Sequence, residues 1–531
     1  MSMMMQENNS NHRPAERTTP EASSDRKGKT AGETKQTPIS PFLQDNLKRI
    51  QDSFQDCSDL TIIPWSYGPS LEYKAFSVYF DSLIQNKMTN YMKESLQDLV
   101  THEIGPATTI TPEVIRSFFA NNGVSAQSAT VEDDFTNAVN SVLEGSIVIF
   151  FDHWDKALRY SAFGIQLRQV TETITESVVQ GPHMSTIEDL ETNIGLIRYL
   201  LKSSRLKLQS LTAGKESRRK ITYGYLEGVV NPETLSEFKR RISQIDQEEI
   251  LETSYLEEWI GDYRYTPFPQ VRYTERPDTA VAALLDGKII VLVDGTPTIL
   301  ICPGLFFENF SSSEDYYHNT IYSSLIRLLR IGACILALLL PSSYIALTTF
   351  HSELIPTILL LAILDTREGI PFPAFVEALL MEFFFELLRE AGIRLPRPIG
   401  SAVSIVGALV IGQAAIQAKI ASPVMVIVVS LTGIASFALP QYSMSIAIRV
   451  LRFPFMVLAA TLGGFGVMLG LLLSFLHLSS MRSLGQPYLS SVAPLDLKQF
   501  RDIFVVFPRQ ILLHSPRNRH LHKVKGGGKK A

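Results

Sequence analysis

Three glutamates recur at every fourth position of a largely apolar stretch, "FPAFVEALLMEFFFELLREAGIRLP" (372–396). On a helix, Glu382, Glu386 and Glu390 would cover about 80° of arc, because successive residues turn by about 100°. Such carboxylates can form a solvated face of a helix that lies along a membrane interface. Repeated around a symmetry axis, they would instead concentrate cations at a channel mouth. The pattern favours the solvated face and leaves a cation vestibule as a hypothesis.

A second stretch, "GSAVSIVGALVIGQAAIQA" (400–418), has no charged residue but is rich in glycine, alanine and serine. The hydrophobic effect does not drive helices together in lipid, so their association depends on close packing of small side chains. The serine and glutamine side chains here are costly in lipid unless they are paired or hydrated. We therefore expect this helix to face protein or water. A buried helix at the centre of a bundle and a pore-lining helix remain equally open.

Charged residues of alternating sign occur in "YTPFPQVRYTERPD" (265–278), a polar segment with three prolines. Arg272, Glu275, Arg276 and Asp278 are spaced closely enough to form an ion-pair network. The segment lies just before the last strands that we predict for the soluble part of the chain. We therefore expect these four residues to form a polar network at a domain junction.

The sequence has none of the common catalytic motifs: no HExxH, no G-x-S-x-G, and no G-x-G-x-x-G between a strand and a helix. Cys57, Cys302 and Cys334 are far apart and form no CxxC pair, so we expect them to be small buried hydrophobic residues. We predict that the protein is not an enzyme and uses no cofactor or metal ion. Its net charge of −4 gives no sign of a nucleic-acid partner.

The first part of the chain divides into a polar segment and a mixed domain. Residues 1–37 have almost no aliphatic side chains, so we expect them to be disordered. No signal peptide is recognisable there, which indicates a cytoplasmic start. Residues 38–325 predict a soluble α/β domain with two subdomains. The polar helical stretch 187–265 would lie between them or form much of the second.

Two aliphatic strands of this domain resemble each other. "EGSIVIFFD" (144–152) and "DGKIIVLVDG" (286–295) both follow a glycine and end in aspartate. They can reflect a duplicated half-domain, or simply two buried strands that obey the same rules, and the second explanation is favoured. The later strand continues through a short loop into "TILIC" (298–302), which predicts a hairpin.

Local signals also predict individual helices and strands. "PFLQDNLKRIQDSF" (41–54) has helical spacing, and "NPETLSEFKRRISQID" (231–246) begins with Asn231 as a cap and proline in the first turn. "DLTIIPW" (59–65) indicates a short strand that ends at Pro64.

Residues 326–480 predict an α-helical multi-span membrane domain. Their uncharged runs are each about 20 residues or longer, the length that a helix needs to cross a bilayer. A shorter run at 354–364 suits a re-entrant or interfacial segment. We expect four crossings, at 331–350, 399–418, 420–448 (ending near Pro440) and 453–476.

The orientation follows from charge. Residues 481–531 form a basic tail, which favours the cytoplasm. Four crossings would then put both ends of the chain on the cytoplasmic side. Arg449 and Arg452 would lie on the outer side, which weakens this topology and keeps a fifth crossing or a re-entrant segment open.

Several segments, taken in order, resemble the A subunits of bacterial spore germinant receptors, the GerA family. They are "PFPQ" (267–270), "TERPD" (274–278), "SSEDYY" (312–317), "LLREAGIRLP" (387–396) and the stretch at 400–418. The similarity runs from about residue 40 to residue 510. In one departure, "GPHMST" (181–186) stands where the family has a turn similar to "GPREGF".

This resemblance implies an integral protein of the spore inner membrane whose N-terminal domain lies on the cytoplasmic side. It implies two partners, a transporter-like B subunit that senses the germinant and a lipoprotein C subunit. It also implies ring-shaped homo-oligomers, in contact with membrane lipid, that release monovalent cations during spore germination.

On that basis the helix at 399–419 would line a germinant-gated cation channel. Val403, Ser404, Gly407 and Val410 lie near one another on the helix and would form the narrow part of the pore, closed at rest by dewetting. The alternative is a non-conducting membrane scaffold that docks the B and C subunits. A secondary transporter is disfavoured, because no inverted halves are visible.

Overall fold

A computed structural model describes residues 37–68, 70–84, 111–120, 129–164, 176, 180–245, 249–490 and 504–506. The predicted disordered segment 1–37 lies almost wholly outside these residues, as does most of the basic tail. In the described part, two antiparallel sheets with their helices precede a helical region.

The first sheet has five strands in the order β1-β2-β4-β5-β3, and every neighbouring pair is antiparallel. Its central strands, β2 and β4, are almost wholly buried, which explains why apolar residues dominate their sequences. The elements of this subdomain are α1 (Leu43–Ser53), β1 (Leu60–Tyr67), β2 (Tyr73–Phe80), α2 (Pro112–Ala120), β3 (Ala129–Glu132), α3 (Phe135–Leu143), β4 (Ser146–Phe151) and β5 (Ala157–Ser161).

The second sheet also has five antiparallel strands, in the order β6-β7-β9-β10-β8. The predicted hairpin is confirmed, because β9 pairs with β10. The elements are α4 (Leu190–Leu200), β6 (Leu206–Ala213), β7 (Arg219–Leu226), α5 (Pro232–Ile242), α6 (Tyr255–Ile260), β8 (Arg272–Thr274), α7 (Pro277–Leu285), β9 (Ile289–Val293) and β10 (Ile299–Cys302).

The two sheets have the same connectivity, with the third strand of each placed at the far edge beside the fifth. A buried asparagine in the helix before each sheet makes the same pair of bonds. Asn46 donates to the carbonyl of Ser40 at 2.6 Å and accepts from its N–H at 3.0 Å. Asn193 donates to the carbonyl of Ile187 at 2.6 Å and accepts from its N–H at 2.9 Å.

The two sheets also have the same kind of turn before the central strand. Gly145 precedes β4 with φ of +83°, and Gly287 lies before β9 with φ of +81°. Only glycine adopts such angles without steric cost, which accounts for the similar sequences there. Connectivity, asparagine bonds and glycine turns together favour a duplicated half-domain over two unrelated strands.

The local helix predictions are confirmed. The observed helix α5 has Pro232 in its first turn, and the Asn231 side chain accepts the N–H of Glu233 at 2.9 Å. The predicted end of the first strand is wrong, because β1 continues through Pro64 to Tyr67. β1 lies at the edge of its sheet, where a residue without an N–H is tolerated.

An ion pair and a main-chain bond join the two subdomains. Arg198 of α4 forms a bidentate pair with Asp59, with Nη2 2.7 Å from Oδ1, and both side chains are buried. The N–H of Ser58 donates to the carbonyl of Leu208 at 2.8 Å. These contacts fix the first sheet against the edge of the second.

The helical region comprises α8 (Thr320–Thr349), α9 (Thr357–Thr366), α10 (Ala374–Arg394), α11 (Arg397–Gln417), α12 (Pro423–Phe437) and α13 (Tyr442–Ser480). Among the described residues, α8 and α13 are the two helices long and apolar enough to cross a bilayer. The predicted short segment at 354–364 corresponds to α9, and α12 ends close to the expected Pro440. α9, α12 and residues 407–417 of α11 are shorter apolar helices.

α13 reverses direction at Gly463, which has φ of +62° and ψ of −141°. A Cβ on Gly470 would lie 3.0 Å from the ring of Phe455, and Met444 packs in the same cluster as Leu478. In a straight helix these residues would be far apart, because each residue advances the helix by about 1.5 Å. The expectation of one straight crossing at 453–476 is therefore wrong, because the chain turns back inside it.

Contacts give the direction of the other helices. The turn at Gly463 packs on Phe350 at the end of α8, far from the sheets. Ser480 at the end of α13 accepts the hydroxyl of Tyr263 at 2.8 Å, on the side of the sheets. α8 and the first half of α13 therefore run away from the sheets, and the second half of α13 returns.

Candidate functional site: the charged layer and the domain junction

Glu382 lies inside the helical region rather than on a solvated face. Its Oε2 is 2.6 Å from Nη1 of Arg452, and each side chain is 1% exposed. Arg452 also donates from Nε to the carbonyl of Ala337 at 2.9 Å. One ion pair thus joins α10, α13 and α8. The arginine that the sequence placed near the outer side is the buried counter-ion of the glutamate.

The other two glutamates have different surroundings. Glu386 pairs with Arg389 on its own helix and lies 3.9 Å from Arg449 of α13. Glu390 pairs with Arg394 at 2.6 Å and is 54% exposed. From Glu382 to Glu390 the series passes from the interior to the surface. A common solvated face for all three is therefore not observed within one chain.

A fourth carboxylate, Glu377, belongs to the same layer and was missed by the sequence analysis. Its side chain is fully buried, with Oε1 3.0 Å from Nη2 of Arg367. Its Oε2 accepts the N–H of Ser422 at 3.0 Å, just before α12. The only sequence signal was an acid in the first turn of α10, and that gave no indication of the partners.

α11 packs on one side and is open on another. A Cβ on Gly407 would lie 2.7 Å from Leu388 of α10, and one on Gly412 would lie 3.5 Å from Val426 of α12. Val410 is 56% exposed. Of the four predicted pore residues, Val403 and Ser404 lie in this helix, but their side chains are outside the described part of the structure.

The structure brings two of the four predicted junction residues into a direct ion pair. Arg276 binds Asp278 through Nε at 3.1 Å and Nη2 at 2.8 Å, and Tyr317 donates to the same carboxylate at 2.7 Å. Glu275 contributes its carbonyl, which accepts the N–H of Thr186 at 2.8 Å. The segment that departs from the family pattern therefore contacts this junction through Thr186.

A buried cluster that sequence reasoning missed lies beside this pair. Asp315 accepts from Arg330 at 2.7 Å and from Arg327 at 3.1 Å, and all three side chains are buried. The aspartate lies in "SSEDYY", whereas both arginines lie in the first turns of α8. The cluster anchors α8 to the connection that leads out of the second sheet.

Gln270 connects the sheets to the chain beyond α13. Its side chain accepts the N–H of Asp262 at 2.7 Å and donates to the carbonyl of Tyr263 at 2.6 Å. Its carbonyl accepts the N–H of Gly304 and the hydroxyl of Ser483, both at 2.8 Å. Residues that follow the helical region therefore pack back on the α/β domain.

The remaining candidate groups are the three cysteines and any cluster of side chains that could bind a metal ion. Cys302 and Cys334 are buried as expected, whereas Cys57 is half-buried between the subdomains, and burial raises its pKa. Within the ranges that the structure describes, no three His, Cys, Asp or Glu residues are close enough to hold a metal ion.

A family model and a solved structure both match this chain. The family described as "Bacillus/Clostridium GerA spore germination protein" matches residues 48–518. A crystal structure of the N-terminal domain of the A subunit of the Bacillus megaterium spore germinant receptor GerK3 aligns with a TM-score of 0.39 and 25% identity. It covers 51% of this chain and 98% of the other.

Curated relatives match over most of their length. The Spore germination protein KA of Bacillus subtilis (strain 168) is 41% identical, over 88% of this chain and 85% of its own. The Uncharacterized membrane protein YfkQ of the same organism is 40% identical, over 90% and 91%. Spore germination protein GerLA of Bacillus cereus is 36% identical, over 88% and 94%. These matches show that the chain belongs to the GerA family of spore germination proteins.

Proposed function

We propose that this chain is the A-type membrane subunit of a spore germinant receptor and that its copies assemble into a germinant-gated cation channel that triggers germination. Relatives at 36–41% identity are named spore germination proteins, which supports the receptor assignment. Channel activity and ring formation are the further steps of the proposal.

The observation that carries the channel proposal is the open side of α11. Leu409 and Val410 are 60% and 56% exposed, and Gln413 and Gln417 are also exposed. Apolar and polar side chains therefore lie uncovered in the uncharged stretch 400–418 of this helix. Uncovered glutamine is costly in lipid but not beside water or another protein chain. If copies of α11 surrounded an axis, neighbouring copies would cover the apolar side chains, and the glutamines would lie beside water or another chain.

In this assembly, Val403, Ser404, Gly407 and Val410 would surround the narrow part of the pore. Apolar rings can keep a resting pore closed by excluding water. Germinant binding would then favour a wider state of the pore. The equilibrium between the closed and wider states can shift only by the difference between the germinant's binding free energies for them. Gly407 would keep α11 close to α10, so that movement of one helix shifts the other.

The cation vestibule formed by Glu382, Glu386 and Glu390 stays a prediction. Glu390 is the most accessible of the three, whereas Glu382 already balances the charge of Arg452. We expect Glu390 to contribute most to attracting cations. Glu382 would mainly hold the helices together.

The proposed setting is the spore inner membrane, with a transporter-like B subunit, a lipoprotein C subunit and membrane lipid as partners. We propose a multi-pass arrangement with the α/β domain on the cytoplasmic side. The helix directions are compatible with several crossings, whichever side of the membrane is cytoplasmic. Tyr263 of the α/β domain contacts Ser480, so the end of α13 lies on the side of that domain.

The competing function is a scaffold that anchors and docks the other subunits without conducting ions. To separate the two, the full chain is reconstituted into potassium-loaded liposomes, alone and with the B and C subunits, and potassium release is measured. The channel proposal expects release from liposomes with a complete receptor after germinant addition. A complete, germinant-binding receptor that releases no potassium would support the scaffold instead.

A further inference from the structure

Among the residues that the structure describes, three buried polar atoms around one cavity have no hydrogen-bond partner. They are Nε of Arg272, Nη1 of Arg276 and Oγ1 of Thr279. Buried polar groups in folded proteins nearly always have a partner, so each exception requires a reason. Three exceptions around a single space indicate that something absent from the protein chain itself satisfies them.

Arg276 gives the strongest evidence. It is 1% exposed, and its Nε and Nη2 are both used by Asp278. This leaves Nη1 as the part of the guanidinium that can bind an additional group. Arg272 forms no ion pair within 4.0 Å among the described residues, and its charge is partly balanced at longer range by Glu176.

The cavity has a volume of about 270 Å³ and lies between the α/β domain and the helical region. Arg272, Arg276 and Thr279 line it from the second sheet and the start of α7. Arg330 lines it from α8, and residues 437–441 line it from the end of α12. A water molecule takes about 30 Å³ in the liquid, so the space is large enough for a small molecule.

From this geometry we propose that the cavity binds a small oxyanion, a carboxylate or a phosphate, held by Arg272, Arg276 and the hydroxyl of Thr279. Guanidinium groups bind planar or tetrahedral oxyanions through directed N–H donors. Thr279 is in the first turn of α7, where the helix dipole also favours negative charge.

Two carboxylates, Glu176 and Glu314, also line the cavity. Glu176 accepts the hydroxyl of Thr274 at 2.6 Å, and burial raises its pKa against the opposing charges of Arg272 and Arg276. Because these carboxylates form part of the cavity wall, we expect only a small ligand to reach the arginines without displacing a carboxylate. A bound oxyanion would bridge the α/β domain and the helices, so its occupancy would stabilise the junction.

The test uses the full chain purified in detergent, with binding measured by calorimetry and melting temperature followed in parallel. Sodium phosphate and sodium acetate are compared with sodium chloride at matched ionic strength. We expect saturable heat and a rising melting temperature with one or both oxyanions, because a ligand that binds only the folded state stabilises it. The phosphate and acetate arms identify which oxyanion class binds.

Arg272→Gln should weaken binding by about tenfold or more, because a directed charged donor is lost. Thr279→Val, which keeps the side-chain shape, should weaken it less and covers the case in which Arg272→Gln does not fold. Arg240→Gln, on the exposed face of α5, is the control and should bind as the parent does. Absence of saturable binding, or equal binding by all variants, would overturn the proposal.

Discussion

Glu382 of α10 and Arg452 of α13 form an ion pair at 2.6 Å, although 70 positions separate them in the chain. Each side chain is 1% exposed. A buried pair is costly to form, but removal of one partner leaves the other charge buried and uncompensated. The pair therefore constrains how α10 can move relative to α13 and α8.

Replacement of this arginine should strongly destabilise the helical region. We expect Arg452→Gln to cost about 3–5 kcal/mol, because the carboxylate of Glu382 loses its counter-ion in the interior. Arg394→Gln breaks the exposed pair with Glu390 and should cost about 0–1 kcal/mol. Urea unfolding of the purified protein in detergent, followed by circular dichroism, measures both. Equal costs for the two variants would contradict the interior placement of the pair.

The reversal of α13 gives a second prediction. Gly463→Ala should destabilise the protein, because its φ of +62° and ψ of −141° suit glycine alone and its Cβ would lie 2.9 Å from Phe350. Strained positions of this kind cost about 1–3 kcal/mol. Gly332→Ala is the matched control, since a Cβ there meets nothing within 4 Å in α8.

The control should be neutral or stabilising by up to about 1 kcal/mol, because alanine favours a helix interior. Melting temperatures of both variants in the same detergent make the comparison. A neutral Gly463→Ala would mean that the chain continues through position 463 as an ordinary helix.

The pore assignment gives a third prediction. Val410→Ala should raise resting potassium release from proteoliposomes, because smaller apolar side chains exclude water less well from a narrow pore. Val457→Ala, at a similarly exposed position of α13, should leave the release unchanged. If both variants leak to the same extent as the parent, Val410 does not line the pore.

A fourth prediction concerns acid stability. Glu249 accepts the N–H groups of Lys215, Glu216 and Ser217 at 2.9–3.0 Å, and these bonds lower its pKa from 4.5 to about 2. Because its folded-state pKa lies below the unfolded value, its stabilising contribution is present above about pH 4.5 and is lost as the pH falls towards 2.

Glu249→Gln should therefore reduce the fall in melting temperature over this pH range. Glu233→Gln, at an exposed first-turn glutamate of α5, serves as the control and should keep the parent's dependence. Melting curves at several pH values between 2 and 5 check the outcome. An unchanged pH dependence in Glu249→Gln would show that these bonds do not form in solution.

Short-range patterns in the sequence were sufficient for much of the fold. The cap at Asn231, the patterns of individual helices and strands, and the uncharged runs after residue 325 are all properties of single continuous segments. The same is true of the hairpin formed by β9 and β10. The resemblance of β4 and β9 is also visible in the sequence, but the case for duplication comes from the structure: the shared strand order, the bonds of Asn46 and Asn193, and the matching turns at Gly145 and Gly287.

The tertiary structure alone decided which distant groups meet. Glu382 and Arg452, Glu377 and Ser422, and the atoms around the junction cavity are brought together by packing between segments far apart in the chain. No local propensity encodes such pairs, because their free energy depends on burial and on which helices lie side by side. For the same reason, the even spacing of the three glutamates predicts a common solvated face, whereas the structure buries Glu382 and exposes Glu390.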